Sequence, residues 1–314
     1  MRGNSVWMRL HAFAVLGFSR VGKTVLLTGA TGFLGSHVLP ALLSQGNTVI
    51  VLVRPFSDVS RIASCADKVV LVDINSASLE RIMVAHSVDT IVHLACDQGC
   101  SGDDVDTLLA VNLILGIELL QAARRCGVKH FLNADTMLDA GVNAYALSKK
   151  QFTGWLPYFS DSLAISNLRL GNIYGPGEAS GGFLSWLLQE FARRAERIEL
   201  TPGEQLRDFI HAADVSAAVL FILGLGGESG LKEYDVGSGE LLSVRTFVET
   251  AQLVYQKETG EMNSQLVFGA LGYRPGEMMA PQFDATSLFT VGWRPVLTLE
   301  GGLTDTVHAF LGDR

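Results

Sequence analysis

The sequence predicts an α/β protein in which a doubly wound parallel sheet is joined to a smaller C-terminal lobe. Two observations lead to this fold class. Short apolar runs of strand type alternate with helical patterns along the first half of the chain, as expected for a parallel sheet covered on both faces. A glycine-rich segment over residues 28–35 lies between the first strand and the first helix, where such sheets form a tight turn.

The first strand, the turn and the first helix are suited to a dinucleotide. Residues 24–27 form a short apolar run, and residues 33–45 carry apolar side chains at mostly helical spacing, with Pro40 expected to kink the helix or shift its frame. Glycines let the backbone approach a pyrophosphate, and the free N–H groups at the helix start can hold the anion. This predicts a Rossmann-type cofactor site. Its candidate cofactor-binding residues are Gly29, Thr31, Gly32, Phe33, Leu34 and Gly35.

The remaining elements continue the alternation. The predicted strands are 48–53, 68–72, 90–94, 130–133 and 163–168, and the predicted helices are 76–86, 106–126 and 144–159. After Gly171 the pattern loosens into Gly/Pro-rich turns between short elements. We therefore predict a cofactor-binding core over residues 23–170 and a mostly substrate-binding lobe over residues 171–314, with some elements returning to the core.

Residues 1–22 are predicted to be a disordered or non-native extension. Basic residues flank an apolar stretch, 10–18, that resembles a weak signal segment. The stretch is too short to span a bilayer, His11 interrupts it, and no A-x-A cleavage pattern follows. We therefore expect a cytoplasmic protein.

Composition excludes several classes of partner. The 314 residues are 48% hydrophobic and 18% charged, with a formal net charge of −8, so nucleic acid and anionic membranes have no general attraction to the chain. An anionic ligand must instead be held by local arginines and backbone amides. The four cysteines lack CxxC spacing and the seven histidines lack ligand spacing, so we predict no metal site and no disulfide framework.

The end of the second predicted strand indicates the cofactor. NAD enzymes usually place a carboxylate there to bind the adenosine ribose, but this strand ends in Val53, Arg54 and Pro55. A guanidinium can pair with a 2′-phosphate. We therefore predict NADP(H) in preference to NAD(H), the alternative being that Arg54 is a solvated surface residue.

Further motifs follow in a fixed order along the chain. They are Val72-Asp73-Ile74, His93-Leu94-Ala95, Val111-Asn112 with Gly116, Tyr145-x-x-x-Lys149, and the segments 169–176 and 207–211. With the glycine turn, they resemble the extended short-chain dehydrogenase/reductases, the family of nucleotide-sugar epimerases, dehydratases and ketoreductases. The resemblance covers residues 23–311. It implies that Asp73, Ile74, Leu94, Ala95 and Asn112 also bind the cofactor.

Tyr145 and Lys149 are the candidate redox pair. Residues four apart share one helical face, so Lys149 is expected to place a positive charge near the phenol and lower its pKa. Tyr145 can then exchange a proton with a carbonyl or alcohol oxygen while hydride moves at the neighbouring carbon. The resemblance implies that both residues also bind the cofactor. It further implies that a Ser or Thr after the fifth strand completes the catalytic site, and the matching residue is Thr136.

Three departures from the family pattern surround this site. Asp135 stands where a serine is common, and its carboxylate could tune the tyrosine or cap the following helix; we expect the capping role. Tyr145 follows Thr136 by only nine positions, where most relatives have a longer loop. Met137 and Leu138 occupy the positions at which the sugar-nucleotide dehydratases carry an Asp-Glu pair, so elimination of water lacks its acid and base.

The C-terminal half supplies candidate substrate-binding residues. The resemblance implies that Asn172, Arg207 and Arg274 contact the diphosphate of a nucleotide-diphospho-sugar, and arginine forks suit phosphate oxygens. A structural role is the alternative for each.

The motifs together most resemble the reductases that act on nucleotide-linked 4-keto-6-deoxy sugars. The resemblance implies that NADPH reduces the 4-keto group while Tyr145 gives the proton. A 4-epimerase with tightly bound NAD and a non-enzymatic NADP-sensing protein are the alternatives. Helices 106–126 and 144–159 carry more apolar residues than one sheet face needs, and the equivalent pair often forms a dimer interface in the family, so we predict a homodimer.

Overall fold

The computed structural model describes residues 22–99, 105–178, 181–260, 264–274 and 276–312. Residues 1–21 of the predicted N-terminal extension lie outside these ranges. The described chain forms two compact units. The first contains residues 22–170 and 216–236, and the second contains residues 171–215 and 237–312.

Strands and helices alternate through most of the described chain. The strands are β1 (Thr24–Thr28), β2 (Thr48–Val53), β3 (Val70–Asp73), β4 (Thr90–His93), β5 (His130–Thr136), β6 (Ala164–Leu170), β7 (Asn172–Tyr174), β8 (Arg197–Leu200), β9 (Leu206–His211), β10 (Gly230–Val236), β11 (Leu241–Ser243) and β12 (Gln265–Phe268). The helices are α1 (Phe33–Ser44), α2 (Leu79–Ala85), α3 (Val105–Cys126), α4 (Ala144–Thr153), α5 (Leu156–Phe159), α6 (Phe183–Ala192), α7 (Ala212–Leu225), α8 (Val244–Thr259), α9 (Thr286–Thr290) and α10 (Leu299–Gly312).

The first unit is built on a parallel sheet. Within the described residues it has seven strands in the order β10-β6-β5-β4-β1-β2-β3, and every neighbouring pair is parallel. The order reverses direction at β1, which confirms the predicted doubly wound sheet. Because all the strands are parallel, their carboxyl ends lie at one edge, and ligands of such sheets bind where the strand order reverses.

Apolar packing explains why these segments form strands and helices. The middle of β1 is fully buried, and so are residues 49–51 of β2 and residues 91–92 of β4, which flank it. Helices cover both faces of a parallel sheet. One core cluster joins Leu26 and Phe131 of the sheet to Leu120 of α3 and Phe152 of α4. Pro40 lies within α1, which continues to Ser44 without the N–H that a proline lacks.

Helix α3 is long and contains a π-helical segment, Ala110–Ile114. By length and composition alone it could cross a membrane, but a core helix passes the same test. Leu119 and Leu120 of α3 belong to the main core cluster. The helix therefore has a structural explanation that needs no membrane.

The second unit contains two small sheets. Strands β7, β9 and β11 form one sheet, and β8 pairs with β12 in the other. A separate core packs Leu187 of α6 and Phe247 of α8 with Leu303 of α10. Asp214 anchors the segment before α10, since its two carboxylate oxygens accept the backbone N–H groups of Val296 and Leu297.

Several predicted boundaries differ from the structure. The single helix expected over residues 144–159 is divided into α4 and α5, because Gly154 ends α4 and Pro157 lies in the first turn of α5. Strand β5 extends three residues beyond the predicted end, so that it includes Thr136. A 3₁₀ helix over Ser60–Lys68 was not predicted from the sequence; it buries Ile62 and Cys65.

Candidate active site

The predicted cofactor residues of the first unit follow the carboxyl ends of neighbouring strands. The glycine turn follows β1, Arg54 follows β2, Asp73 ends β3, and Leu94 follows β4. Because these strands are parallel and adjacent, the structure brings their ends together at one edge of the sheet. This edge is where an open α/β sheet binds a nucleotide.

The glycine turn is packed too closely for side chains. Gly29 has a φ of +72°, and a Cβ there would lie 2.6 Å from the backbone nitrogen of Ala95. A Cβ on Gly35 would lie 2.0 Å from the carbonyl oxygen of Gly29. Both glycines therefore allow the turn, α1 and the end of β4 to approach one another.

The start of α1 suits an anion. Gly32 is the N-cap residue and no side chain caps it, and the first turn contains no acidic residue. The N–H groups at the start of the helix therefore have no competing carboxylate, and the helix dipole favours a negative ligand there. Thr31 precedes Gly32, and Phe33 and Leu34 begin the helix. All three are partly exposed. These features fit the pyrophosphate of a dinucleotide.

Arg54 and Asp73 differ in how they are held. Arg54 is exposed, and its backbone forms a turn with Ser57. The Asp73 carboxylate accepts the backbone N–H of Asn75 at 2.8 Å, which fixes the turn that follows β3, and Ile74 donates to the carbonyl of Val53. The Arg54 side chain is thus accessible at the end of β2, beside the end of β1.

The end of β4 is tied to β1 by buried polar contacts. The hydroxyl of Thr28 lies 2.8 Å from Nδ1 of His93 and accepts the backbone N–H of Ala95. Complete burial, with a contribution from Lys149, lowers the pKa of His93 to about 3. His93 is therefore neutral and structural, while Leu94 and Ala95 are positioned against the glycine turn.

Asn112 connects three segments of the first unit. It is fully buried in the π-helical part of α3. Its side-chain oxygen accepts the N–H of Asp97, and its amide nitrogen donates to the carbonyl of Asp97 and to the hydroxyl of Ser148. Asn112 thus joins α3 to the loop after β4 and to α4. Its amide protons are both used within the protein, which favours an indirect role in cofactor binding.

Tyr145, at the start of α4, lies beside Thr136, at the end of β5. Asn143 caps α4 by accepting the N–H of Ala146 at 2.8 Å. Burial raises the pKa of Tyr145, the charges of Cys96 and Asp135 act in the same direction, and a hydrogen bond with the Thr136 side chain opposes them. Without bound ligands, the pKa of Tyr145 is therefore raised, whereas the charge of Lys149 was expected to lower it. The reason is that burial penalises the phenolate more than the neighbouring groups stabilise it.

Lys149 is only 2% exposed. Burial lowers its pKa, whereas the charges of Cys96 and Asp135 oppose that shift. Tyr145 and Lys149 therefore share Cys96 and Asp135 as electrostatic neighbours, and Tyr145 also hydrogen-bonds Thr136 at the end of β5. The phenol of Tyr145 can donate a proton to an oxygen bound beside it.

Asp135 does not cap a helix. Its Oδ2 atom accepts a hydrogen bond from Lys150 Nζ at 2.7 Å, and Asn143 provides the cap of α4. The expected capping role is therefore wrong. A carboxylate in β5 is buried beside α4, where pairing with a lysine offsets its cost of desolvation.

The predicted substrate-binding residues of the second unit have different environments. Asn172, the first residue of β7, and Arg274 are exposed. Arg207 is 9% exposed, and its guanidinium donates to Glu277 and to the carbonyl oxygens of Leu206 and Met278. The hydrogen bonds of Arg207 are thus formed within the second unit, which gives this residue a structural role.

Two side chains beside the site were not identified from the sequence as participants. The Cys96 thiol is exposed and interacts electrostatically with both Tyr145 and Lys149. Lys150 binds Asp135 and the carbonyl of Thr136. The position of Cys96 directly after the motif of β4 was the one signal for it, and no pattern in the sequence pairs Lys150 with Asp135. Within the described residues, no group of His, Cys, Asp and Glu has the arrangement of a metal site.

Comparison with known proteins gives consistent matches. The NAD dependent epimerase/dehydratase family matches residues 25–237. The CDP-abequose synthase of Salmonella muenchen is 27% identical over 90% of this chain and 96% of that protein. The UDP-glucose 4-epimerase of Mycolicibacterium smegmatis is 28% identical over 91% of this chain and 97% of that protein.

Solved structures show the same fold. The UDP-glucose 4-epimerase of Thermus thermophilus, in complex with NAD, matches with a TM-score of 0.74 and 26% identity, over 93% of this chain and all of that chain.

Proposed function

The chain belongs to the NAD dependent epimerase/dehydratase family, and from this premise we propose that it reduces the 4-keto group of a nucleotide-diphospho-4-keto-6-deoxyhexose with NADPH. The family and the relatives make the chain an enzyme that modifies nucleotide sugars with a nicotinamide cofactor. The resemblance to CDP-abequose synthases supports a reductase within that class.

The observation that carries the proposal is the pair of residues that follows Thr136. Met137 and Leu138 stand where a dehydratase carries its acids, so Tyr145 and Thr136 are left to act on a substrate oxygen without elimination of water. The similarity to three CDP-abequose synthases then favours a reductase over an epimerase.

The residues then have separate tasks. Thr136 and Tyr145 hydrogen-bond the 4-keto oxygen, and Tyr145 gives its proton to that oxygen as the carbonyl becomes an alcohol. Lys149 stabilises the phenolate that forms and assists its reprotonation from solvent. A reduced nicotinamide supplies the hydride when bound.

The exposed guanidinium of Arg54 supports NADP(H). It stands at the end of β2, where an acidic residue would favour NAD(H). A 2′-phosphate adjacent to Arg54 gains a charge-assisted hydrogen bond in place of repulsion. The NAD complex of the Thermus enzyme makes NAD(H) the alternative cofactor.

For the second unit we propose that Asn172 and Arg274, both exposed, contact the substrate diphosphate. Arg207 contributes through its bond to Glu277, which belongs to the same segment as Arg274. In this arrangement Arg207 supports the segment that presents Arg274.

The experiment is an incubation of the full chain with NADPH and a panel of CDP-, dTDP-, UDP- and GDP-linked 4-keto-6-deoxy sugars. We expect loss of NADPH absorbance in step with formation of one 6-deoxyhexose product. The nucleotide that supports the highest kcat/KM identifies the base. No consumption of NADPH or NADH with any member of the panel would refute the reductase.

The alternative is a nucleotide-sugar 4-epimerase, favoured by the similarity to UDP-glucose 4-epimerases. Such an enzyme keeps NAD bound through oxidation and re-reduction. Release of NAD from the denatured, purified protein, with interconversion of UDP-sugars without added cofactor, would support it. The non-enzymatic NADP-sensing alternative predicts cofactor binding with neither activity.

We also propose that the enzyme is a homodimer in the cytoplasm. Helices α3, α4 and α5 and the link between the last two leave large apolar residues exposed, including Ile114, Leu147, Trp155 and Tyr158. Arg124 of α3 stacks on the rings of Tyr158 and Phe159, so α3 and α5 are adjacent. An apolar surface of this kind is typical of a contact between subunits.

A further inference from the structure

Asp135 and Lys150 form an ion pair that the proposed reaction does not use directly. The Asp135 side chain is 1% exposed and the Lys150 side chain 25% exposed. The second carboxylate oxygen of Asp135 is buried and accepts no hydrogen bond from the described residues. The negative charge is therefore only partly offset by hydrogen bonds, and its field extends to neighbouring groups.

The pair connects the two elements that carry the catalytic residues. Asp135 and Thr136 are the last residues of β5, and Lys150 follows Lys149 in α4. Lys150 donates both to Asp135 Oδ2 and to the carbonyl oxygen of Thr136. One ammonium group thus fixes α4 against the end of β5, and this fixes Tyr145 relative to Thr136.

A second cation, Arg169, lies beside Asp135 in the neighbouring strand. Asp135 is in register with Arg169 of β6, and Arg169 in turn is in register with Asp235 of β10. Arg169 binds both carboxylate oxygens of Asp235, at 2.6 and 2.8 Å. Partial burial opposes the charge on Arg169, but Asp235, with a smaller contribution from Asp135, raises its pKa. Charges therefore alternate from Lys150 through Asp135 and Arg169 to Asp235.

The charge of Asp135 acts on both catalytic groups. It raises the pKa of Tyr145 and of Lys149, and within the described chain no other carboxylate contributes to both. The other groups that act on Tyr145 are the Cys96 thiol and the Thr136 hydroxyl. Of all these, the Asp135 carboxylate is the one that is fixed by a salt bridge.

We propose that Asp135 is a positioning residue: held by Lys150, it fixes Thr136 against Tyr145 and places a buried negative charge near the phenol. The proposal rests on the proposed function, because a reduction needs a proton donor at Tyr145.

Two variants separate the charge from the anchor. Asp135→Asn keeps the shape but removes the charge, whereas Lys150→Met removes the anchor but leaves the carboxylate. Lys150→Arg preserves the pair. Glu80→Gln is the matched control, because it breaks the exposed ion pair of Glu80 with Arg125. Each protein is labelled with carbon-13 at the tyrosine Cζ, and the Tyr145 signal is assigned by its absence in Tyr145→Phe.

The two variants are expected to move the titration of Tyr145 in different directions. In Asp135→Asn the Tyr145 signal titrates at least about 1 pH unit lower than in the wild type, since a nearby like charge has been removed. The alkaline limb of kcat/KM for reduction moves down with it. In Lys150→Met the titration does not move down, yet kcat falls about 10- to 100-fold because the two catalytic groups lose their alignment. Lys150→Arg recovers most of the activity, and Glu80→Gln resembles the wild type.

Two outcomes would overturn the proposal. One is an unchanged Tyr145 titration in Asp135→Asn, and the other is a shift in the same direction in both variants. The NMR titration needs no substrate, so it decides the role of Asp135 even if none of the 4-keto sugars is reduced. Failure of the substrate panel with the wild-type enzyme would count against the proposed function alone.

Discussion

At the residue scale, Tyr145 shows which properties of a catalytic residue can be predicted from a sequence motif. Its spacing from Lys149 predicts that the two side chains share a helical face, and Cys96 and Asp135 act on both of them. The direction of the Tyr145 pKa shift was wrong, because it depends on burial by residues distant in sequence. The pairing of Asp135 with Lys150 is equally invisible to spacing rules, since one residue is in a strand and the other in a helix.

Replacement of Tyr145 by Phe tests the proton donor. We expect kcat for reduction to fall by about 100- to 10,000-fold, the usual contribution of general acid catalysis. The dissociation constant for NADPH, measured by fluorescence titration, should change little, because the ring is retained.

Tyr158→Phe is the matched control for this substitution, since Tyr158 is 65% exposed and lies outside the catalytic group. It should keep the wild-type kcat. Turnover of Tyr145→Phe at the wild-type rate would show that another group supplies the proton.

Arg54 decides the cofactor in the proposed function. Arg54→Asp should lower the ratio of kcat/KM for NADPH to that for NADH by about 10- to 100-fold, since a hydrogen bond to a charged group contributes about 1.5–3 kcal/mol. Steady-state kinetics with both cofactors measure the ratio.

Lys68→Asp makes the same change of charge at the opposite edge of the sheet, because Lys68 precedes β3 whereas Arg54 follows β2. The ratio should stay at the wild-type value in this control. An equal fall in both variants would attribute the effect to net charge.

At the element scale, the sequence predicted strands and helices better than the links between them. Apolar runs located β1 to β6. Most of these strands are buried on both faces, whereas Val70 and Leu71 of the edge strand β3 are exposed. The π-helical segment of α3 was not predicted, since it depends on the contacts that Asn112 makes with the loop after β4 and with α4. These contacts join residues that are 15 and 36 positions apart.

Asn112→Ala should weaken the connection between these elements. Loss of its buried hydrogen bonds is expected to lower the free energy of unfolding by about 1–3 kcal/mol, measured by urea denaturation. The KM for NADPH should rise, because the loop that follows Ala95 is no longer held. Asn75→Ala, at an exposed position, should change neither quantity. A rise in KM without loss of stability would instead indicate direct contact between Asn112 and the cofactor.

At the scale of the whole molecule, the doubly wound sheet could be predicted because alternating strands and helices permit few arrangements. The position of β10 beside β6 in this sheet could not be predicted, because residues 230–236 carry no signal that distinguishes them from the short strands around them. The environment of Arg207 was likewise unpredictable, because Glu277 and Met278 reach it from about 70 residues further along the chain.

Ile114→Asp tests the proposed homodimer. Ile114 is 48% exposed on α3, one of the helices proposed for the subunit contact. A carboxylate buried without a partner in a subunit contact is costly, so the variant should sediment as one chain while the wild type sediments with twice that mass. Val84→Asp is the matched control, since Val84 is 68% exposed on α2, and it should remain dimeric. Because Asn112 lies in the same helix, dissociation is also expected to raise the KM for NADPH. A wild-type protein that is monomeric at assay concentrations would refute the dimer and leave the reductase untouched.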